Sequence, residues 1–596
     1  MRRRRLPTPA RWAAAAASAL VATTGLTMAP THAAPGSACP AVHPVADLDP
    51  GDPVTGLTVT SGVTPGAFSG GVLGVLEDAL APGRDLIMAD LHSPTIDKVG
   101  IWQGMSGSPV YAQDGRLIGA VAFGLSFGPS TVAGLTPAAD VRRLLTGAQV
   151  PGSKSRRVAV TDKLAARVAT AGAATKAEAK QGMRRLPLPI GMSGLTAARL
   201  KELAPLLGFR GAQLSETPIG RASSERIDVP VGGNLAATIS YGAVTAAALG
   251  TATMVCGSEV VGFGHPFLYT GPSTLTMHGA RAVYIQDDPA GPGSKLGNTG
   301  APIGTVDADR LAGLHAMKGA LPGAITVSSK AADGSSTFSG VSRVTVPEFV
   351  GELASTNMIA ISDLALDRTG KGTATAGWTI KGLRKNGRPF SFARSDMYAD
   401  PFDISLGVAF AMAEDLTAIQ DNPDEAVKIT SVSTATRFGI PYEVYAVSRV
   451  QVLRSGAWIS SAPDKPLPLR AGKVARLRVI LTSREGRDRA LEVRVWVPPR
   501  AKGRLGTLSI VGGNEGAGSA EESVEEDPFE GSPFSPSALP KLLKQLGAGP
   551  KHNEVVATVR FRGGPSGAVP PRRAKASLNR VVGGSLTTPV RVTRDP

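Results

Sequence analysis

The residues best able to do chemistry are a serine set among glycines, Gln103-Gly-Met-Ser-Gly-Ser-Pro, and a histidine at a strand end, Val260-Val-Gly-Phe-Gly-His-Pro-Phe. A serine hydroxyl attacks a carbonyl only when a base takes its proton and donors hold the oxyanion that forms. Gly104 and Gly107 let the backbone turn sharply around Ser106 and point main-chain N–H groups into one hollow. The Gly104 and Ser106 N–H groups are the expected oxyanion donors. The chemistry implied is acyl transfer on Ser106. The bland alternative is a Gly/Ser turn between strands.

The base must come from seven histidines. His32 lies in an N-terminal apolar region, His43 in a Pro/Asp-rich stretch and His92 in a polar loop. His278 and His315 lie in loop-like and helix-like surroundings, and His552 borders a Gly/Ser/Glu-rich segment. His265 alone follows a strand that ends in glycines, which would place its imidazole at the lip of a cleft. It is the expected general base. The competing reading is a buried histidine bonded to backbone.

These side chains need a rigid frame, and the composition indicates which kind. With 596 residues the chain exceeds what one core requires, and 71 Gly with 46 Pro favour many turns and short strands. Strands are expected at 56–60, 70–76 and 85–89, then at 116–123 and 130–135, with a helix opening at Pro137. Further strands are expected at 234–244, 249–255 and 259–263, and an amphipathic helix at 195–207. Later strands at 442–453, 474–482, 491–497 and 554–561 read as sandwich-like. The domain reading is a signal peptide at 1–34, a serine-bearing barrel at 40–150, a solvated linker at 151–185 and a histidine-bearing barrel at 186–345. A β-sandwich-like region at 346–511, a disordered linker at 512–550 and a C-terminal strand with a basic tail at 551–596 complete it.

Arg2 to Arg5, the apolar run 12–28 and the small residues around Thr31-His-Ala have the form of a cleaved secretory signal, the alternative being an uncleaved anchor. No later stretch is long and apolar enough to span a membrane. A secreted or cell-envelope, extracytoplasmic location is expected. There the two cysteines, Cys39 and Cys256, would form one disulfide. Two cysteines do not support a cysteine-type zinc site, and neither metal nor cofactor is expected. The net charge of +16 is dispersed among acids without an aromatic-interleaved basic stripe, which argues against nucleic acid as a partner.

The stretches Gly100-Ile-Trp-Gln-Gly-Met-Ser-Gly-Ser-Pro-Val-Tyr, Gly115-Arg-Leu-Ile-Gly-Ala-Val-Ala-Phe-Gly, Val260 to Phe267 and Gly300-Ala-Pro-Ile-Gly-Thr-Val-Asp-Ala-Asp-Arg-Leu-Ala-Gly resemble the SpoIVB peptidase family. These are serine peptidases of the chymotrypsin-like clan, whose Gly-Asp-Ser-Gly-Gly-Pro pattern aligns Ser106 with the nucleophile. The resemblance spans roughly residues 55–345. It implies a mainly β fold with two chymotrypsin-like β-barrel halves, here in permuted order because the serine segment precedes the histidine segment. It also implies an exported endopeptidase acting on a protein or peptide, with self-cleavage in the linkers a further expectation. By position Asp90 is the expected triad acid, with Asp97, Asp287 and Asp288 as rivals. The alternative is a catalytically inactive, peptidase-like envelope binding or scaffold protein.

Overall fold

A computed structural model of the chain describes residues 39–593, apart from 127, 148–156, 210–213, 215–218, 221, 290, 440–441, 463–464, 515–537 and 564–567. The expected signal peptide and most of the expected disordered linker therefore lie outside the described residues, but residues 538–548 of that linker form a helix whose Leu543 and Leu546 pack against the core. The chain is mainly β, with 51% strand against 18% helix.

Short runs of small and branched residues, broken by turns, build the first barrel. Its strands are β1 (Pro53–Thr58), β2 (Gly66–Ala81), β3 (Arg84–His92), β4 (Pro109–Ala112), β5 (Leu117–Leu125) and β6 (Val132–Pro137). They pair in the order β4-β1-β2-β3-β6-β5, and β4 also pairs with β5, which closes a ring of six. Every residue of β5 is buried, which explains its unbroken apolar character. Between β3 and β4, helix α1 (Pro94–Val99) begins at Ser93, whose hydroxyl accepts from Ile96 N, with Pro94 at its first position. Gly100 ends it at φ 70°, and the serine segment follows.

Residues 151–185 differ from the solvated linker expected of them. Where described, they form β7 (Arg157–Val158), helices α2 (Asp162–Thr170) and α3 (Lys176–Ala179), and β8 (Met183–Arg185). Leu164, Ala165 and Val168 share one face of α2 and pack with Leu73, Leu86 and Met88 of the first barrel. Alanine-rich composition concealed this helical stripe, because its apolar side is small rather than absent.

The second barrel follows β9 (Gly191–Met192) and helix α4 (Ala197–Leu203). Its strands are β10 (Asn234–Gly242), β11 (Ala246–Cys256), β12 (Glu259–Gly262), β13 (Gly271–Gln286), β14 (Ser294–Arg310) and β15 (Gly313–Lys318). The order β10-β13-β14-β15-β12-β11 is closed by a β10–β11 pairing. Its sheet continues outward through β16 (Ile325–Asp333) and β17 (Ser336–Val344), and then through β18 (Gly372–Arg384), β19 (Pro389–Asp400) and β20 (Val427–Gly439).

Residues 346–439 therefore belong with the second barrel rather than with a separate unit. Two buried helices, α5 (Val350–Leu366) and α6 (Ile404–Gln420), cover this extension, and β16 runs parallel to β20. Strand alternation identifies a half-buried strand but not its partner, so the boundary expected at 346 does not appear. Two five-stranded sheets built from residues 444–593 enclose their own core. The expected basic tail supplies three of their strands, Arg572–Ser577, Val581–Gly583 and Ser585–Thr593.

Cys39 and Cys256 are joined by a disulfide that ties the start of the described chain to the end of β11 across 217 positions. No helix among the described residues is long and apolar enough to cross a membrane. A cross-link closing so long a loop restricts the unfolded chain strongly. Replacement of Cys256 by Ser is expected to lower unfolding stability by roughly 2–5 kcal/mol. The shift in denaturant midpoint checks this, and reductant should then change the wild type but not the variant.

Candidate active site

The serine loop is held from both barrels. Gly107 N donates to Val121 O at 2.7 Å, and Val121 N returns a bond to Ser108 O at 3.0 Å, so β5 clamps the loop on one side. On the other side Thr251 N donates to Ser106 O at 2.8 Å. The hydroxyls of Thr251 and Thr253 donate to the carbonyls of Gly104 and Gly107 at 3.1 and 2.7 Å. Both threonines belong to β11 of the second barrel. A Cβ on Gly107, at φ 95°, would stand 2.0 Å from Thr251 O and 2.4 Å from Phe263 N, so glycine is required for the barrels to meet here. Gly104, also at φ 95°, lies against Lys295 of β14. Ser108 sends its hydroxyl to Met105 O and Thr58 Oγ1 and so braces the turn.

Thr251 also receives the histidine segment. Phe263 N donates to Thr251 O at 3.1 Å, and Phe263 adopts φ 68° although it is not glycine. Such a conformation costs on the order of 1–3 kcal/mol and persists only where its surroundings hold it. Here Phe263 is fully buried and Thr136 Oγ1 fixes the next carbonyl, Gly264 O, at 2.6 Å. The chain then delivers His265 to the serine. His265 Nε2 lies 2.9 Å from Ser106 Oγ, although 159 positions separate the two in sequence.

The other imidazole nitrogen, Nδ1, lies 2.9 Å from Pro266 O. A carbonyl can only accept, so Nδ1 carries the proton and Nε2 presents its lone pair to the serine hydroxyl. That is the tautomer a general base requires. Burial, followed by the positive charge of Arg185, lowers His265 to about 3 against the pull of the Pro266 bond. The imidazole is therefore neutral at physiological pH.

Asp90 does not meet His265. It lies on β3, with Oδ2 3.3 Å from His92 Nε2, and Asp97 Oδ1 is 2.7 Å from the other nitrogen of His92. The proximity of Asp90 to Ser106 in sequence does not survive the strand geometry, because α1 and a glycine turn intervene. Asp287 and Asp288 follow the end of β13, and neither makes a described hydrogen bond to His265.

The carboxylate that serves this loop is Asp309, near the end of β14. It accepts from the backbone N–H groups of Phe267, Leu268 and Tyr269 at 3.0, 2.6 and 2.7 Å. It touches the segment just after His265 and not the ring, so it is a positioning residue. Burial raises its carboxyl to about 6, opposed by these N–H donors. Two acids, Asp307 and Asp309, stand out at the end of the otherwise small and apolar stretch from Gly300, but nothing in the order of residues links either to His265. Lys295 was also missed. It is buried, its ammonium donates to Asn234 Oδ1 at 3.1 Å, and burial lowers it to about 7.

Gly104 N and Ser106 N donate to no backbone carbonyl among the described hydrogen bonds, whereas Met105 N, Gly107 N and Ser108 N all do. This leaves the expected pair of oxyanion donors available. Among the described residues no cluster of His, Cys, Asp or Glu has the arrangement to hold a metal ion. The site thus brings a serine hydroxyl and a neutral imidazole together, with no carboxylate hydrogen-bonded to the imidazole among the described residues.

Comparison of the chain with known protein families, with curated proteins and with solved structures finds no match.

Two outcomes follow from this geometry. The folded-state value of His265 lies below the ordinary 6.5, so the stability linked to it is present above pH 6.5 and is lost as pH falls toward about 3. Denaturation midpoints measured from pH 7 to pH 4 should therefore fall less steeply for H265Q than for the wild type. Replacing one acceptor oxygen of Asp309 by an amide NH2 should loosen the loop: D309N is expected to slow reaction of Ser106 with a fluorophosphonate on the order of 10²-fold, as a misplaced base would. Unchanged pH dependence of the residual rate would mark the role as positional.

Proposed function

We propose that the protein is an exported serine endopeptidase that forms an acyl-enzyme on Ser106. The observation that carries this reading is the 2.9 Å contact of His265 Nε2 with Ser106 Oγ, made by the tautomer that Pro266 O selects. The two six-stranded rings support a chymotrypsin-like arrangement in permuted order, with the serine in the first ring and the histidine just after a strand of the second. The resemblance to the SpoIVB peptidase family supports the same assignment. Export is supported by the charged and apolar N-terminal pattern and by the disulfide. The C-terminal pair of sheets is read as a β-sandwich-like recognition module.

Ser106 Oγ attacks the carbonyl carbon of the peptide bond while His265 Nε2 takes the hydroxyl proton. The carbonyl oxygen becomes an oxyanion and is held by the N–H groups of Gly104 and Ser106. The C–N bond breaks, and the imidazolium returns its proton to the departing amine. Water, deprotonated by the same nitrogen, then attacks the ester and frees Ser106. Pro266 O takes the place of the triad acid in orientation. It carries only a partial charge, so the imidazolium is stabilised less than it would be by a carboxylate.

One observation favours a second reading, an inactive peptidase-like binding protein. His265 has no carboxylate partner among the described residues, and both Ser106 and His265 are almost wholly buried.

A fluorophosphonate is expected to label Ser106 of the secreted protein, located by peptide mass spectrometry. S106A should abolish labelling and H265A should slow it on the order of 10²–10⁴-fold. Folded protein that resists the reagent even when a substitution opens Ser106 to solvent would favour the binding reading.

A further inference from the structure

The outer half of β5 is a sheet edge, because β4 pairs only with Pro109 to Tyr111 opposite Leu117 to Ala120. The chain's own β8 fills that edge. Phe123, Gly124 and Leu125 pair antiparallel with Arg185, Arg184 and Met183. The ladder extends at both ends, with Leu186 N donating to Ala122 O and Ser126 N donating to Gly182 O, each at 3.0 Å. Ala122 adjoins Val121, the residue that clamps the serine loop through Gly107 and Ser108. The ladder thus runs along β5 to the point where that strand holds the nucleophile.

The side chain at the end of the ladder is apolar and enclosed. Leu186 is 3% exposed and packs with Ile101, Trp102 and Met105 of the serine segment. A Cβ on Gly124 would stand 3.5 Å from Leu186 Cδ2, so the absence of a side chain there leaves the space Leu186 uses. The preceding residue, Arg185, is close enough for its charge to act on His265. Further along the chain, Pro189 and Gly191 line a cavity together with Gln103 and Gly104. The chain from Gly182 onward therefore pairs with β5, brings the charge of Arg185 to bear on His265, and then borders a cavity that Gly104 also lines.

We infer that Gly182–Pro187 is a resident strand lying where a peptide substrate would lie, with Leu186 in the pocket for the residue preceding the bond to be cut. This rests on the peptidase reading for its chemistry, whereas the occupancy of the cleft stands on the pairing alone. The segment explains why Ser106 and His265 are closed to solvent. It also defines the substrate class: an extended peptide that adds a strand to β5 and presents a leucine-sized apolar side chain. The residue after Leu186 is Pro187, whose leaving nitrogen is a ring nitrogen without a hydrogen and is crowded by Cδ. The resident strand is accordingly a poor substrate and acts as an intramolecular inhibitor. Tethering keeps its effective concentration high, so a competing peptide must displace it.

The test uses the full mature chain and a fluorescein-labelled octapeptide, Gln-Gly-Met-Arg-Arg-Leu-Pro-Leu, copied from residues 181–188. In an S106A background, anisotropy should show at least tenfold tighter saturable binding when L186D has expelled the resident side chain. Equal affinity with and without L186D, or no binding to either, overturns the resident strand. If L186D does not fold, L186A truncates the same side chain and carries the same comparison. In protein that keeps Ser106, fluorophosphonate labelling should be at least tenfold faster in L186D. Failure to label either form counts against the peptidase chemistry alone, because the anisotropy result is obtained without Ser106.

Discussion

The two-way bond between Thr251 and its neighbours is the constraint on which the site depends. Thr251 N donates to Ser106 O and Thr251 O accepts from Phe263 N, so one residue of β11 grips the nucleophile loop with one group and the histidine segment with the other. The loops are fixed to the same strand, and their separation is set by one residue of backbone rather than by the packing of two domains. Gly107 is part of the same constraint, since any side chain there would be driven into Thr251 and Phe263. Hydrogen bonds of this kind contribute about 1 kcal/mol each to stability, but breaking a buried one leaves both partners unsatisfied. Their value here lies chiefly in geometry.

The imidazole is oriented by different means from those of a Ser-His-Asp triad. A backbone carbonyl adjacent to the ring selects the tautomer, and a carboxylate one step removed holds the loop that carries that carbonyl. Asp309 spends its charge on three N–H groups rather than on the ring. The division separates two tasks that a triad acid performs at once. Orientation is retained in full, while electrostatic support of the imidazolium is reduced. Burial keeps the ring neutral and ready to accept a proton, at the cost of making the protonated ring less favourable.

The closed state of the cleft has a similar origin. An unpaired half-strand beside a nucleophile is adhesive for any extended chain. The connection between the two barrels must pass nearby, and it pairs with that edge. Fold connectivity and control of access are therefore met by one segment.

Much of this was legible in the residues themselves. Gly-Met-Ser-Gly around Ser106 and Gly-His-Pro around His265 singled out the two side chains that the fold brings together, because each sits in a turn that glycine permits. Strands β1, β2, β3, β5, β6 and β10 to β12, and later ones at 444–454, 474–483, 488–496 and 554–561, were legible from local periodicity, and the disulfide followed from the presence of two cysteines. The acid was not legible. Asp90 is near Ser106 along the chain but faces His92, whereas Asp309 lies 44 positions beyond His265 and returns to it through a β-hairpin and the pairing of β13 with β14. The same applies to residues 183–185, whose Ala-, Lys- and Arg-rich surroundings read as a solvated linker. Local sequence records what a residue can do and which local geometry it favours. Which carboxylate reaches a loop, and which segment fills a sheet edge, is decided by strand order, a non-local property that only the closed barrels determine.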